Sequence, residues 1–154
     1  MAVAEEYLQM TADKFIFRVK RSLLYSPDDV WVDAAGAKAR IGVTDFFQRR
    51  GGDIIFLEPP RRGDRLTRGS RFASFETIKV VFDVISPVSG VVTEVNAELE
   101  PNPETMNADP YGRGWIAEVA LADVCELDGL LTPEAYLEVM KGKVADEMKK
   151  IKGM

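Results

Sequence analysis

The segment from Phe75 to Ile85 consists largely of β-branched and aromatic residues, with Lys79 near its middle and a Ser-Pro-Val-Ser-Gly sequence directly after it. Polar residues at the middle of such a run are typical of two strands joined by a tight turn. Thr77, Ile78 and Lys79 then lie near the tip of a hairpin, which places the lysine ammonium group in water. An enzyme that uses a lysine as its nucleophile usually desolvates it. We therefore expect a displayed lysine that another protein acylates.

The rest of the 154-residue chain alternates short apolar runs with turn residues. This length corresponds to about one domain. The pattern predicts strands at 14–19, 30–33, 39–43, 54–57, 87–95 and 115–119, and helices at 4–10, at 44–48 with Thr44 as the cap, and from Thr132 onward. Residues 98–114 are predicted to form an irregular surface loop. Closely spaced short strands indicate a mainly β fold, a small sandwich or barrel with helices at its edges.

The composition excludes most catalytic and metal sites. The chain has no histidine and a single cysteine, Cys125, which rules out Ser-His and Cys-His nucleophiles, histidine-ligated metals and thiolate zinc sites. No acidic cluster has the spacing of a calcium-binding loop. We therefore assign no catalytic residue and no metal ligand, and expect any redox or group-transfer chemistry to come from an attached cofactor. Cys125 itself is predicted to be a small core residue.

The composition also indicates where in the cell the protein is located. No apolar stretch approaches the roughly 20 residues of a membrane span, and the N-terminus lacks the basic start and apolar stretch of a signal peptide. A lone cysteine leaves no internal disulfide and fits a reducing environment. We expect a cytoplasmic protein without a membrane partner.

Several blocks of the chain match, in order, the motifs of one known family. The blocks are Ile41–Asp45 with Gly52–Phe56, Glu76–Lys79 with Asp83 and Ser86–Gly90, and Val95–Asn96, Asn102–Pro103, Asn107, Asp109–Gly112 and Gly114–Trp115. Through them, the stretch from Tyr25 to the region of Tyr136 resembles the H-protein family of the glycine cleavage system, whose members are lipoyl carriers. The resemblance implies a lipoyl-domain-like barrel-sandwich hybrid of short antiparallel strands with flanking helices, including a C-terminal helix.

The resemblance also implies roles for individual residues. Lys79 would carry lipoate through an amide bond, as a swinging arm presented to partner enzymes, so that the protein is a carrier and not an enzyme. Glu76, Gly63 and Gly90 would help a lipoate ligase or lipoyl transferase to recognise the hairpin. Asp83 would lie near the arm.

Three segments are expected along the chain. They are an N-terminal extension at 1–24, a lipoyl-carrier domain at 25–131, and a C-terminal helix at 132–154 that packs on this domain or extends from it. The extension is longer than the family requires and is a candidate cover for a sheet edge.

The chain departs from the family at two places near the expected arm. The family usually has His-Glu before the tryptophan that here is Trp31, and its carboxylate is thought to help hold the aminomethyl-loaded arm, whereas this chain has Asp29 and Val30. The residues after the lysine are small in the family, but here 80–82 read Val-Val-Phe. We expect the bulkier residues to reshape the surface offered to partners.

These departures favour a divergent H-like lipoate-binding protein that carries sulfur intermediates or electrons in heterodisulfide-reductase-like sulfur oxidation. The alternative is a glycine cleavage system H protein that shuttles the aminomethyl group. A further alternative is an unmodified interaction module that kept the lipoyl fold.

A belt of arginines stands out in a chain whose net charge is −5: Arg49, Arg50, Arg61, Arg62, Arg65, Arg68 and Arg71. One interpretation is a solvated basic face. The other is electrostatic steering toward an acidic docking face on a partner enzyme. We do not expect nucleic acid as a partner, because no aromatic stacking platform accompanies the arginines.

Overall fold

The computed structural model describes residues 6–12 and 14–152. The strands are β1 (Tyr7–Ala12), β2 (Phe15–Lys20), β3 (Leu24–Tyr25), β4 (Val30–Ala35), β5 (Lys38–Val43), β6 (Ile54–Glu58), β7 (Arg65–Leu66), β8 (Arg71–Thr77), β9 (Val81–Ile85), β10 (Gly90–Val95) and β11 (Ala117–Leu121). The helices are α1 (Asp45–Gly51), α2 (Thr105–Ala108) and α3 (Pro133–Lys152), and Val124–Gly129 forms a 3-10 helix.

The strands form three antiparallel sheets. A six-stranded sheet has the order β3-β4-β5-β11-β10-β7, and a three-stranded sheet has the order β6-β8-β9. Apolar residues from both sheets form one buried cluster, here called the main core, which includes Ile41, Leu57, Phe75, Val84 and Val119. This arrangement confirms the mainly β, lipoyl-domain-like fold with flanking helices.

The third sheet is the β1–β2 hairpin, whose strands pair with each other and pack on α1 and α3. Its Phe17 and Val19 belong to a second buried cluster, here called the outer cluster, with Tyr25, Trp31 and Tyr136. The prediction of a helix at 4–10 is wrong for Tyr7–Met10, and residues 4 and 5 lie outside the described residues. Cross-strand pairing and packing override a weak helical propensity here. The hairpin packs on helices and pairs with no other sheet in the described residues, and the covering of a sheet edge stays a prediction.

Both predicted helix starts are confirmed. The Thr44 hydroxyl accepts a hydrogen bond from the Phe47 amide at the start of α1, at 3.3 Å. At the start of α3, the Thr132 hydroxyl accepts from the Ala135 amide at 3.2 Å. These side chains satisfy amides that have no partner within the helix. In the described residues, no helix is long and apolar enough to cross a membrane.

Two smaller expectations need correction. The predicted loop at 98–114 contains the short helix α2. Cys125 is exposed and does not lie in the core. Its 3-10 helix contains no buried residue, and Asp123 caps this helix through a 2.9 Å hydrogen bond from the Cys125 amide.

Candidate functional site

Lys79 lies in the two-residue turn that joins β8 to β9. The Thr77 amide donates to the Val80 carbonyl at 2.9 Å and closes the turn around Ile78 and Lys79. The next residue pair along the hairpin is Glu76 with Val81. The predicted hairpin with the lysine at its tip is therefore confirmed.

The Thr77 side chain fixes the shape of this turn. Its hydroxyl oxygen accepts hydrogen bonds from the Lys79 amide at 3.2 Å and the Val80 amide at 3.3 Å, and the residue is only 5 % exposed. Ile78, in contrast, is 88 % exposed. Lys79 is exposed as well, and it takes part in no ion pair within 6–12 and 14–152. The turn therefore has a fixed backbone and a lysine side chain accessible to an acylating enzyme.

An aromatic cluster anchors the hairpin beneath this turn. The rings of Phe75 and Phe82 have centroids 5.3 Å apart, and each packs on Phe47 of α1, at 5.2 and 5.5 Å. The Arg50 guanidinium lies 5.4 Å from the Phe82 centroid, a cation–π geometry. Gly51 leaves room for Phe82, because a methyl group there would lie 2.4 Å from its ring.

This packing refines the expectation about the bulky residues after the lysine. Val80 and Val81 are exposed and belong to the outer surface, as expected. Phe82 is half-buried and packs inward on Phe47, so it supports the hairpin.

Two of the predicted site residues, Glu76 and Asp83, lie on the same hairpin as Lys79. Glu76 and Asp83 are exposed on neighbouring strands of the hairpin, where Glu76 pairs with Val81 and Asp83 pairs with Ser74. This register makes the two carboxylates diagonal neighbours on one face, with Cβ atoms about 7 Å apart. Their charges can act on the same part of the arm or of a partner.

The two predicted glycines lie away from the tip. Gly63 has φ of +93°, and its amide donates to the Val92 carbonyl at 2.8 Å. Gly90 begins β10, where a methyl group would lie 2.2 Å from the Ala120 carbonyl oxygen. The first position needs a left-handed backbone and the second needs close strand packing, so both glycines have structural reasons to be glycine. Their part in enzyme recognition stays a prediction.

Sequence reasoning missed an apolar surface around the lysine. Ile55 and Phe56 are both about half exposed, at 56 and 51 %, because a bulge shifts the register between Ile54 and Phe56. Phe56 pairs with Glu76, so the two side chains lie on the same face of the sheet. A bulge turns two consecutive residues outward, and nothing in the local sequence marks it.

The departure before Trp31 has a structural explanation. Asp29 is 2 % exposed, accepts a hydrogen bond from the Tyr136 hydroxyl at 2.8 Å and pairs with the Lys143 ammonium at 2.9 Å. Burial raises the pKa of Tyr136 well above its ordinary value, so this hydroxyl stays a donor. Val30 is fully buried in the main core. Neither side chain is directed to the arm.

The arginine belt does not form one surface. Arg49 pairs with Asp45 at 3.6 Å and Arg62 with Glu94 at 3.4 Å, while Arg50 lies among aromatic rings. Arg68 lies against Gly129. The remaining members, Arg61, Arg65 and Arg71, line a separate cleft. The basic residues therefore form several sites of different character.

Comparison with known proteins places this chain in a family. The family described as "Glycine cleavage H-protein" matches residues 23–143. The β1–β2 hairpin and the last part of α3 lie outside the matched residues.

Individual relatives agree with this match. The chain is 45 % identical over 121 residues to the glycine cleavage system H protein of Geobacillus sp. (strain WCH70), covering 79 % of this chain and 95 % of the relative. It is 46 % identical over 120 residues to the probable glycine cleavage system H protein of Haloarcula marismortui, covering 78 % and 94 %. A crystal structure of a glycine cleavage system H protein from Mycobacterium marinum superposes with a TM-score of 0.70 at 34 % identity, covering 77 % of this chain and 95 % of that one. The chain belongs to the glycine cleavage H-protein family of lipoyl carriers.

Proposed function

We propose that this protein is the H protein of a glycine cleavage system and that it carries lipoate on Lys79 through an amide bond. The observation that carries the proposal is the fixed two-residue turn with an exposed lysine at its tip, in a chain of this family. Bound there, lipoate would supply a dithiolane, whose disulfide and dithiol forms suit the carriage of an aminomethyl group among the enzymes of the system. The other partner is the lipoate ligase or lipoyl transferase that acylates Lys79.

The residues around Lys79 fit such an arm. Thr77 holds the backbone on both sides of the attachment point, so the freedom of the arm lies in its own single bonds. Ile78 and Val80 give the attaching enzyme an apolar surface next to the lysine. Glu76 and Asp83 place negative charge on one face of the hairpin, where it attracts an ammonium group of the cargo or of an enzyme.

The relatives and the buried residues support the choice of the aminomethyl group as cargo. The curated relatives are named for glycine cleavage, and this supports the aminomethyl function over the sulfur-oxidation function that the departures favoured. Phe82 packs inward, which removes part of the basis for a reshaped docking surface. One observation still favours sulfur oxidation as the second candidate. The Asp29 carboxylate is paired with Lys143, and Val30 has no carboxylate that could hold an aminomethyl-loaded arm.

The test is glycine-dependent loading of the lipoylated protein. The holoprotein with its dithiolane in the disulfide form is incubated with glycine and the glycine decarboxylase of a characterised cleavage system, so that the S–S bond breaks as one sulfur takes up the aminomethyl group, and its intact mass is measured. We expect a glycine-dependent mass increase that is absent from Lys79→Arg. An arm that is reduced and reoxidised readily but never gains this mass would instead support the sulfur-oxidation function. A chain that accepts no lipoate would support the unmodified interaction module.

A further inference from the structure

Three arginines line one cleft at the end of the three-stranded sheet that is opposite to Lys79. Arg61, Arg65 and Arg71 surround a space of about 460 Å³, together with the rigid Pro59–Pro60 segment and the start of β8. All three arginine residues are exposed. They come from a loop and two strands, so the fold, and not one helix or one loop, brings them together.

The guanidinium groups of this arginine cleft lack carboxylate partners. In the described ranges none of the three forms an ion pair, whereas Arg62 nearby is paired with Glu94. Two carboxylates, Glu58 and Asp64, also line the cleft. The Asp64 carboxylate accepts a hydrogen bond from the Arg61 backbone amide at 2.8 Å and so stabilises the local turn. The cleft keeps an excess of positive charge on a chain whose net charge is −5.

The cleft also lies between two strand segments that have a free side. The last β6 residue, Glu58, pairs with Ser74, so among the described residues the first part of β8, residues 71–73, has a strand neighbour only in β9. In the described chain, β7 pairs only with β10. Free strand edges offer backbone groups to an extended peptide, and the side chains beside them select its sequence.

We propose that the arginine cleft docks an extended acidic segment of a partner protein. Guanidinium groups pair well with carboxylates because their donors match the carboxylate geometry. A nucleic acid fits less well, because the aromatic residue at the cleft, Phe72, is 9 % exposed and offers no stacking surface. The proposal assigns the acidic docking partner to these three arginines and not to the whole belt.

The position of the cleft leaves the hairpin tip uncovered. Strand β8 runs from Arg71 at the cleft to Thr77 at the turn, a distance of about 20 Å at the usual rise per residue. A partner held at the cleft therefore keeps its active site near Lys79 without covering it. The placement of a partner's active site near Lys79 rests on the proposed function, whereas binding at the cleft does not depend on lipoate.

The test measures binding of a labelled peptide by fluorescence anisotropy. The probe is a fluorescein-labelled (Glu-Val)5 peptide, compared with (Gln-Val)5 and with a labelled dT10 oligonucleotide. The site variant is Arg65→Glu with Arg71→Glu. The control variant is Lys38→Glu with Lys149→Glu, which changes the net charge equally at exposed cations elsewhere. Thermal unfolding checks that both variants fold.

We expect the wild-type chain to bind (Glu-Val)5 and not (Gln-Val)5, more weakly as salt rises above about 0.1 M. The site variant should lose at least tenfold in affinity and the control variant less than threefold. Equal losses in both variants, or no binding of the acidic peptide by the wild-type chain, would overturn the proposal. Tighter binding of dT10 with the same arginine dependence would overturn the choice of a protein partner. Normal lipoylation of the site variant would keep this result separate from the proposed function.

Discussion

Two hairpins pack on neighbouring faces of helix α1 and differ in what supports them. The β8–β9 hairpin belongs to the three-stranded sheet, and its Phe75 and Phe82 pack on Phe47 in the main core. The β1–β2 hairpin has no strand neighbour beyond itself in the described part of the chain, and its Phe17 packs edge-on against Phe46 at 5.6 Å. Two consecutive residues of α1, Phe46 and Phe47, thus each pack against a different hairpin.

The β8–β9 hairpin presents the lysine, whereas the β1–β2 hairpin supports helix α1. The hairpin with Lys79 lies within the residues that match the family, and the β1–β2 hairpin lies outside them. The two are joined through Arg50, whose guanidinium lies 5.5 Å from the Phe46 centroid and 5.4 Å from that of Phe82. We infer that the added hairpin supports α1 from the outer side and that the display of the lysine depends chiefly on the main core.

The strongest way to break this comparison is to remove the ring at the centre of the lysine hairpin. Phe75→Ala should lower the free energy of unfolding by about 4 kcal/mol, because it deletes a fully buried ring and leaves a cavity. Urea denaturation measures this loss. Val81→Ala, on the exposed face of the same hairpin, should change it by less than about 0.5 kcal/mol. A loss below about 1 kcal/mol for Phe75→Ala would contradict the anchoring role of the main core.

The next substitution sharpens the separation between the hairpins. Phe17→Ala should lower the free energy of unfolding by about 3 kcal/mol, while lipoylation of Lys79 proceeds within twofold of the normal rate. Intact mass over time measures the second quantity. Phe15→Ala serves as the control, because that ring is half exposed. A tenfold slower lipoylation of Phe17→Ala would show that the two hairpins act as one unit through α1.

A smaller effect is expected at the turn itself. Thr77→Val keeps the shape of the side chain but removes the acceptor of the Lys79 and Val80 amides, at a cost of about 1 kcal/mol. Hydrogen exchange of these two amides should accelerate, while exchange in β1 and β2 is unchanged. Thr93→Val, which loses a 3.2 Å bond to the Glu118 carbonyl, is the matched control. Unchanged exchange at the tip would show that Thr77 does not fix the turn.

Alkaline pH should weaken the outer cluster. Burial raises the pKa of Tyr25, Tyr111 and Tyr136, which all lie in this cluster, above the ordinary 10.0. Each group stays neutral in the fold, so its contribution is complete below pH 10 and is lost as the pH rises toward the folded-state pKa. At pH 10 the expected loss is about 0.4 kcal/mol per tyrosine.

Urea denaturation between pH 8 and pH 10 measures this dependence. Tyr136→Phe should reduce the pH-dependent loss in the free energy of unfolding by the contribution of one tyrosine. The same pH dependence with and without Tyr136 would contradict the assignment.

The parts of the molecule that follow from short-range chemistry could be predicted from sequence. The hairpin around Lys79 and the helix start at Thr44 depend on neighbouring residues, and both were expected where they occur. The ion pair of Asp29 and Lys143 joins residues 114 positions apart, so no local pattern reveals it. The same holds for the bulge that exposes Ile55 and Phe56, which depends on how β6 pairs with β8.

The arginine belt shows the same limit. Its members are close in sequence, but helix α1 holds Arg50 among aromatic rings, whereas the turns between β6 and β8 lead the later arginines to other neighbours, including the cleft around Arg71. Composition alone suggested one basic surface. Predicting the separate sites requires the strand order, which long-range pairing determines.

The most direct test of the central claim is the site of lipoylation. The chain is produced with lipoate and a lipoate ligase, digested and mapped by mass spectrometry, with Lys79→Arg prepared in parallel. We predict one lipoyl group per chain, on Lys79, and none on Lys79→Arg, whose free energy of unfolding should differ by less than about 0.5 kcal/mol. Lipoate on Lys20 or Lys141, or an unmodified Lys79 under these conditions, would contradict the account.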